Sequence, residues 1–439
     1  MFPQRDTEVP LYADLNQKAR TVLEHNSRRH GEYQYFVSDY RKYPFQYYWD
    51  SCIQAIAMSL FDGRRAEQEM FSLLSRQFPD GCMPYMTSWD RPGLFWTVFL
   101  KLTNWIGPDG RANMTTAPML SAVATWEIYK RTGNKAFLEK VIPELAREAD
   151  YMGVQRDLLD DGMVVIVNAL EAGTNESPVY DEVIGVSRPL GLGWLAHLVF
   201  YIKVARQMQR YKAVGYDLDA VADLGLFLAE DMNSNAMFCA SMRVMGDILE
   251  EVGDRQAAEV YRAQARKLAG RLEELCWSEE DAFFYARYGT KSSRRLSRVK
   301  TASGLLPLYT GLISEEKARL LVERHLANPG EFWTRWPLSF VSVDEPSHRS
   351  FVPPSPSPSL WRGGTWMVMN WMCFMGLREY GYDELAGQLA RSSAQMVARS
   401  GFREFYNSFS GKGYGSKNVG MATAVADMLE RSGGAGRGG

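Results

Sequence analysis

Helical segments that are apolar almost all round alternate along this chain with segments that have one polar face. Residues 51–61 are nearly all apolar and residues 64–77 are amphipathic, and the same pairing returns at 115–131 and 135–156. A helix that is apolar all round must be buried, and an amphipathic helix packs one face against it. The absence of strand–helix–strand alternation argues against a Rossmann fold or a triose-phosphate-isomerase type of barrel. The pattern therefore predicts an all-α protein, an (α/α)6 toroid in which an outer ring of helices surrounds an inner ring.

The remaining periodic segments extend this prediction to both ends of the chain. Further helices are predicted at 15–29, 187–211, 217–251, 254–275, 301–308, 314–326, 364–380, 382–400 and 419–431, and short strands at 163–167, 283–287 and 402–406. In a toroid, the loops at one end of the inner helices converge on one mouth. We expect the functional site there, in the aromatic and polar loops 77–92, 168–182, 353–365 and 402–416. We expect residues 1–431 to form a single domain and residues 432–439 a disordered glycine-rich tail.

Composition narrows the classes of partner and cofactor. A net charge of -2 argues against a protein built to bind nucleic acid or an anionic membrane. No apolar stretch approaches the length of a membrane span, and the first residues lack the apolar core of a signal peptide. Five scattered cysteines without a CxxC pair favour a reducing compartment, so we expect a cytoplasmic protein. The five histidines show no metal-ligand spacing, and the phosphate-binding glycine motifs are missing, so we predict no metal and no cofactor.

The stretch SLWRGGTWMVMNW at 359–371 is the most distinctive segment. It places Trp361, Arg362 and Trp366 around a glycine pair, where a proline-rich segment gives way to a helix. Aromatic rings pack against the C–H faces of sugars, and a guanidinium donates to their hydroxyls. The stretch therefore predicts a sugar-binding pocket. The alternative is an aromatic-rich core helix that begins after a glycine turn.

Carboxylates within aromatic loops indicate the chemistry of glycoside hydrolysis, in which one acid protonates the leaving oxygen and a second carboxylate acts on water or on the sugar. Glu404 lies in the strand-like REFY, before a glycine-rich turn. Asp50 follows Trp49 at the start of a buried helix, where it either caps the helix or binds sugar. Four more carboxylates crowd one loop, and some of them must be solvated loop charges: Glu171, Glu176, Asp181 and Glu182.

Several of these stretches, in this order, resemble glycoside hydrolase family 63, in particular its bacterial mannosylglycerate and glucosylglycerate hydrolase group. The resemblance is carried from about residue 30 to 430 by YYWDSCIQAIA (47–57), PDGCMPYM (79–86), TTAPMLSAVATWEIYKRTGN (115–134), EAGTNESPVYD (171–181), SGLLPLYTGLISEEKARLLVERHL (303–326), LWRGGTWMVMNWM (360–372) and REFYNSFSGKGYGS (403–416). It implies an (α/α)6 barrel and an inverting mechanism without a cofactor, in which water attacks the anomeric carbon opposite the leaving group.

The resemblance also implies residue roles. The general base falls on Glu404, and the aspartate that contacts the sugar falls on Asp50. The remaining residues that we predict to contact the substrate are Tyr43, Tyr47, Trp49, Tyr85, Asn175, Trp361, Arg362 and Trp366. The predicted substrate is an α-linked small glycoside of glucosyl or mannosyl type.

One position departs from the family pattern. The acid aspartate of the family lies in a turn that reads roughly ESGMDNSPxWD, and Asn175 occupies its place here. An amide cannot protonate a leaving group, so we predict that the next residue, Glu176, serves as the acid. The family's TQPP reads TTAP, with Thr116 in place of a glutamine.

Two alternatives to a hydrolase remain open. One is a sugar-binding or regulatory protein that has kept the cavity and lost the acid. The other is a sugar epimerase on the same kind of toroid. We rank the epimerase last, because such enzymes work with histidine pairs and the five histidines here lie outside the aromatic loops.

Overall fold

The structure of the chain is a computed structural model that describes residues 8–90, 93–103, 105–107, 109–112, 115–186, 193–349 and 361–434. Several predictions fall partly outside these ranges, among them the predicted domain 1–431 at residues 1–7, the loop 77–92 at residues 91–92 and the stretch 359–371 at residues 359–360. Three others are affected more. They are the start of the helix predicted from Ser187, the first part of the loop 353–365, and the end of the tail predicted at 432–439.

Helices dominate the described part of the chain, as predicted. The α-helices are α1 (Glu8–Asn26), α2 (Tyr48–Met58), α3 (Gly63–Leu74), α4 (Leu94–Thr103), α5 (Ser121–Thr132), α6 (Lys135–Asp150), α7 (Asp181–Ile184), α8 (Gly193–Ala213), α9 (Leu218–Asp223), α10 (Met232–Val252), α11 (Arg255–Leu275), α12 (Pro307–Thr310), α13 (Glu315–Leu320), α14 (Met367–Glu379), α15 (Asp383–Ser400) and α16 (Ala424–Gly434). Short 3-10 turns at Ala169–Ala172 and Pro178–Tyr180 shape the loop before α7.

The strands are short and antiparallel. They are β1 (Ser27–His30), β2 (Tyr33–Phe36), β3 (Gln46–Tyr47), β4 (Met86–Thr87), β5 (Ala229–Glu230), β6 (Trp277–Ser278), β7 (Phe283–Phe284), β8 (Arg287–Thr290), β9 (Ser293–Leu296), β10 (Gly364–Thr365), β11 (Arg403–Asn407) and β12 (Gly413–Lys417). They form the pairs β1-β2, β3-β4 and β6-β7 and the three-stranded sheets β5-β8-β9 and β10-β11-β12. The small sheets tie loops together.

Six helices contact one another in a closed cycle. The α2 helix contacts α5, α5 contacts α10, α10 contacts α12, α12 contacts α14, α14 contacts α16, and α16 returns to α2. Every residue of α2 except Asp50 is buried, which agrees with its nearly continuous apolar sequence. The predicted burial of this helix is confirmed.

Amphipathic helices pack against members of this cycle. The α3 helix lies on α2, α6 on α5, α11 on α10 and α15 on α14. Asp62, Asn134 and Asp254 begin three of these helices, and each side chain accepts a backbone N–H of the first turn. Such a cap contributes about 1 kcal/mol, because it pairs one of the backbone donors left open at a helix start.

Several predicted boundaries are wrong. The first helix ends at Asn26, because residues 27–30 pair with β2 as a strand. The helix predicted at 217–251 is broken after α9, because Ala229 pairs with Tyr288 in the β5–β8 ladder and Asp231 caps a new helix. The last helix runs to Gly434 and therefore includes three residues that we assigned to the tail. No helix in the described ranges is long and apolar enough to cross a membrane.

Candidate active site

The pairing of β10 with β11 brings the tryptophan-rich stretch to the strand that carries Glu404. Thr365 lies opposite Tyr406 in this ladder. A Cβ on Gly364 would stand 2.7 Å from the ring of Phe405. Glycine at this position therefore allows the two segments to approach closely.

A stack of aromatic rings fixes this junction. Trp361 and Trp366 lie face to face, with ring centroids 3.6 Å apart and planes inclined by 8°. Trp366 then stacks on Phe405 at 5.2 Å. Trp361 has a φ of 56°, a conformation that costs an L residue about 1–2 kcal/mol. Both indoles are buried, so protein contacts use most of their faces.

Glu404 is held by groups from two other segments. The Tyr43 hydroxyl donates to Oε1 at 3.1 Å, and the backbone N–H of Ser416 donates to Oε2 at 2.8 Å. The Lys42 ammonium lies 3.5 Å from Oε2. The Glu404 side chain is 11% exposed, so the carboxyl is sheltered and still reachable from solvent.

A β-bulge creates the Ser416 contact. Arg403 pairs with Lys417 and Phe405 pairs with Tyr414, so two residues of β12 lie opposite Glu404. The first of them, Gly415, has a φ of 67°, and a Cβ there would stand 2.3 Å from Oε2 of Glu404. A bulge of this kind turns a backbone N–H out of the ladder. Here that N–H reaches the carboxylate.

Asp50 lies close to Glu404 at the start of α2. The Ser38 hydroxyl donates to Oδ1 of Asp50 at 2.6 Å. Burial raises the pKa of Asp50 to about 7, and the negative charge of Glu404 adds to the rise. Asp50 is thus a carboxyl group that changes its charge near neutral pH.

Tyrosine hydroxyls surround these carboxylates. The β3–β4 pair sets Tyr47 edge-on to Tyr85, with ring centroids 5.5 Å apart, and Tyr43 lies edge-on to Tyr47 at 6.3 Å. Burial raises the pKa of Tyr43 well above its usual range, and the charge of Glu404 raises it further. These hydroxyls therefore remain protonated donors at neutral pH.

The four carboxylates of the loop 168–182 have different environments. Glu171 is fully buried and forms a two-pronged ion pair with Arg156, at 2.7 and 3.1 Å. Asp181 pairs with Arg362, with Nη1 2.7 Å from Oδ2. Glu182 is exposed and contacts Arg295. Glu171 and Asp181 therefore hold loops in place, and the Arg362 guanidinium, which we predicted to contact sugar, is engaged by Asp181.

Asn175 and Glu176 lie in different surroundings. The Asn175 side chain is half-buried and lies beside the hydroxyls of Tyr85 and Tyr201. The Glu176 side chain is 2% exposed, and its Oε1 lies 2.6 Å from Nδ1 of His197. His197 lies outside the aromatic loops in the sequence, and the fold brings its ring into contact with one of them.

Trp49 anchors the start of the same loop. Its ring covers Gly173, where a Cβ would stand 2.8 Å from the indole, and Gly173 has a φ of 71°. The Trp49 ring also lies 6.1 Å from that of Trp361. The tryptophans of two predicted sugar-binding stretches therefore meet.

Sequence reasoning missed two residues of α8, His197 and Tyr201. They are four residues apart and so lie on one face of the helix. The pKa of Tyr201 is raised well above its usual range by burial, then by the charge of Glu176 and also by that of Glu404. Their shared helix face was the available signal. Among the described residues, no group of three or more potential metal ligands occurs.

Comparison with known proteins shows the family of the chain. The family model described as "Mannosylglycerate hydrolase MGH1-like glycoside hydrolase domain" matches residues 43–419. This range contains Tyr43, Asp50, Glu176 and Glu404.

Individual relatives match this chain over most of their own length. The chain is 27% identical to mannosylglycerate hydrolase MGH1 of Selaginella moellendorffii, over 85% of this chain and 77% of the relative. It is 26% identical to a mannosylglycerate hydrolase of Thermus thermophilus, over 93% of this chain and 99% of the relative.

A solved structure shares the fold. It is that of a glycoside hydrolase family 63 mannosylglycerate hydrolase from Thermus thermophilus in complex with Tris and D-glycerate. The TM-score is 0.82 at 24% identity, covering 95% of this chain and all of the other. The chain therefore belongs to the mannosylglycerate hydrolase MGH1-like family of glycoside hydrolases, as its motifs indicated.

Proposed function

We propose that this glycosidase hydrolyses an α-linked small glycoside of glucosyl or mannosyl type with inversion, using Glu404 as general base and Glu176 as general acid. The observation that carries the proposal is the environment of Glu404. Its carboxylate is held by the Tyr43 hydroxyl and the Ser416 backbone, next to Asp50. A sheltered carboxylate in a fixed orientation can accept a proton from water.

The reaction balances without any other reactant. Glu404 takes a proton from water while the water oxygen bonds to the anomeric carbon. The bond from that carbon to the leaving oxygen breaks, and its electron pair stays on the oxygen, which receives the proton of Glu176. Inversion follows, because water and leaving group occupy opposite faces of the sugar.

Two observations support the proposed identity of the sugar and of its leaving group. The relatives described above are mannosylglycerate hydrolases, which favours a mannosyl or a closely related hexosyl unit. Thr116 stands in place of the glutamine of the family motif, and its backbone N–H donates to the structural carboxylate Glu171 at 3.2 Å. A shorter side chain at this position supports a leaving group that differs from glycerate.

We also propose an (α/α)6 toroid, a single catalytic domain and a cytoplasmic location. The closed cycle from α2 through α5, α10, α12, α14 and α16, with amphipathic helices packed against it, supports an (α/α)6 toroid. Residues 1–431 as a single catalytic domain agree with contacts of α1 with α15 and α16. Five free, buried cysteines support a reducing, cytoplasmic compartment.

Proton NMR of fresh reaction mixtures tests the proposed activity. The panel pairs α-mannosyl and α-glucosyl units with glycerate, glycerol and methanol as leaving groups. We expect hydrolysis of at least one member, with the β-anomer of the free sugar appearing first. The α-anomer appearing first would show retention, and sugar binding without hydrolysis would support the binding protein instead.

A further inference from the structure

A short contact joins Glu176 to a residue that lies outside the aromatic loops. Nδ1 of His197 is 2.6 Å from Oε1 of Glu176. The Glu176 side chain is 2% exposed, whereas that of His197 is 32% exposed. The imidazole is therefore a partly exposed partner of a buried carboxyl group.

One face of the α8 helix lies against the turn at 174–176. His197 and Tyr201 lie one helical turn apart, and their rings meet edge to face at 4.7 Å. The Tyr201 hydroxyl lies beside the Asn175 side chain. One face of α8 therefore contacts both residues of the turn, Asn175 through Tyr201 and Glu176 through His197.

We propose that His197 is a positioning residue that fixes the acid carboxyl of Glu176 through this Nδ1 contact. The inference rests on the proposed function, because it assigns a role to His197 only if Glu176 supplies the proton. The family turn carries its acid one residue earlier, where this chain has Asn175. A carboxyl displaced by one residue within this turn, which is closed by a hydrogen bond from the Ser177 N–H to the Thr174 carbonyl, points in a different direction. His197 supplies the contact that fixes the new direction.

The contact can serve both protonation states of the acid. When Glu176 is protonated, its O–H donates to Nδ1 and the imidazole carries its own proton on Nε2. After the proton has passed to the leaving oxygen, the partly exposed imidazole can release its Nε2 proton to water, take up a proton from water on Nδ1, and donate this Nδ1–H to the carboxylate. A hydrogen-bond donor at this position offsets part of the desolvation cost of the charged carboxylate.

Two substitutions separate this contact from the rest of the imidazole. In His197→Asn, the amide occupies the place of Nδ1 and can accept from or donate to Glu176. In His197→Gln, the amide extends to the place of Nε2 and loses the contact with Oε1 of Glu176. Rates are measured on the best alkyl α-glycoside of the panel and on the matching glycosyl fluoride, whose leaving group departs without a proton.

We expect a specific split between the two substrates. His197→Gln should slow the alkyl glycoside by about 10²-fold, the lower end of what general acids contribute, and change the fluoride by less than about 3-fold. His197→Asn should keep most of the alkyl activity. The proposal is overturned if both substrates slow equally or if His197→Asn loses as much as His197→Gln.

A double-mutant cycle and a spectrum complete the test. Glu176→Gln combined with His197→Gln should be no slower on the alkyl glycoside than Glu176→Gln alone, because the two residues act as a unit. In Glu176→Gln, the imidazole ¹⁵N resonances of His197 should shift while those of the other histidines stay. Additive losses of rate in the double variant, or unchanged His197 resonances, would exclude a positioning role for His197.

These measurements also separate the two proposals. If the wild type hydrolyses neither substrate, the proposed function fails, and the ¹⁵N spectrum still reports whether His197 and Glu176 are in contact. If the wild type is active and only the results for the His197 variants differ from expectation, Glu176 remains the proposed acid and His197 is excluded as its positioning residue. The spectrum requires only the isosteric Glu176→Gln variant, so it stands even where a His197 variant does not fold.

Discussion

The backbone N–H of Ser416 donates to Oε2 of Glu404 at 2.8 Å, across a bulge in the β11–β12 hairpin. A backbone donor has no rotamers, so it holds the carboxylate more rigidly than a side chain would. The bulge depends on Gly415, whose positive φ favours glycine. The orientation of the proposed base is therefore built into the hairpin.

Gly415→Ala should impair catalysis far more than it impairs folding. The new Cβ would stand 2.3 Å from Oε2 of Glu404, so the carboxyl must move. A displacement near 1 Å costs on the order of 10²-fold in rate. Gly381→Ala is the matched control, because Gly381 has a φ of 75° and open space around it. Turnover and thermal unfolding of both variants are compared, and equal activity in the two would contradict the prediction.

Glu404→Gln should abolish hydrolysis and leave sugar affinity within a few-fold of the wild type. The amide keeps the shape of the side chain but cannot take a proton from water, and the rate should fall by at least about 10²–10⁴-fold. Calorimetry with the free sugar and a turnover assay measure the two effects. Glu182→Gln, which alters an exposed carboxylate of the loop 168–182, should change neither. Near-normal turnover in Glu404→Gln would exclude this residue as the base.

Asp50 should make sugar affinity depend on pH near neutrality. Burial raises its pKa to about 7, so the group is neutral below that pH and charged above it. A charged acceptor forms stronger hydrogen bonds with sugar hydroxyls, so affinity should rise by roughly 5-fold between about pH 6 and 8. Calorimetry across this range should give a flat profile for Asp50→Asn. The same slope in wild type and variant would assign the titration to another group.

Glu176→Gln should slow alkyl glycosides by about 10²–10⁴-fold and glycosyl fluorides far less, because only the former need a proton from the enzyme. Adding Asn175→Asp to this variant should recover part of the lost rate. The Asn175 side chain faces the hydroxyls of Tyr85 and Tyr201, so a carboxyl placed there enters the site. Steady-state rates of the Glu176→Gln variant and of the double variant, measured on both substrate types, test this prediction. A Glu176→Gln enzyme with unchanged rates on all substrates would leave the acid unassigned.

Helix periodicity predicted most of the helices, and two of its errors lie where strand pairing replaces a predicted helix. The chain between α9 and α10 looks helical by local pattern, but Ala229 pairs with Tyr288, more than fifty residues later. Residues 27–30 leave the helical path in a different way, because they pair with β2 across a two-residue turn. Strand pairing between distant segments has no signature in the local sequence, so periodicity alone extends a helix across it.

The site was predictable where its residues lie within distinctive motifs. Asp50 and Glu404 stand in aromatic segments, and their motif positions led to them. His197 stands in an ordinary amphipathic helix, and only the fold places its ring 2.6 Å from Glu176. The role of Gly415 was equally hidden, because a glycine-rich turn does not reveal which residue lies opposite the bulge.

The closed cycle of helices constrains how the protein is made. The α16 helix fills the gap between α14 and α2, and its Asp427 accepts the indole N–H of Trp371 at 2.6 Å and pairs with Arg131. A nascent chain that stops before residue 424 therefore leaves apolar faces of α2 and α14 in water. Final assembly must wait until α16 has left the ribosome, and until then the incomplete chain exposes apolar surface that favours aggregation.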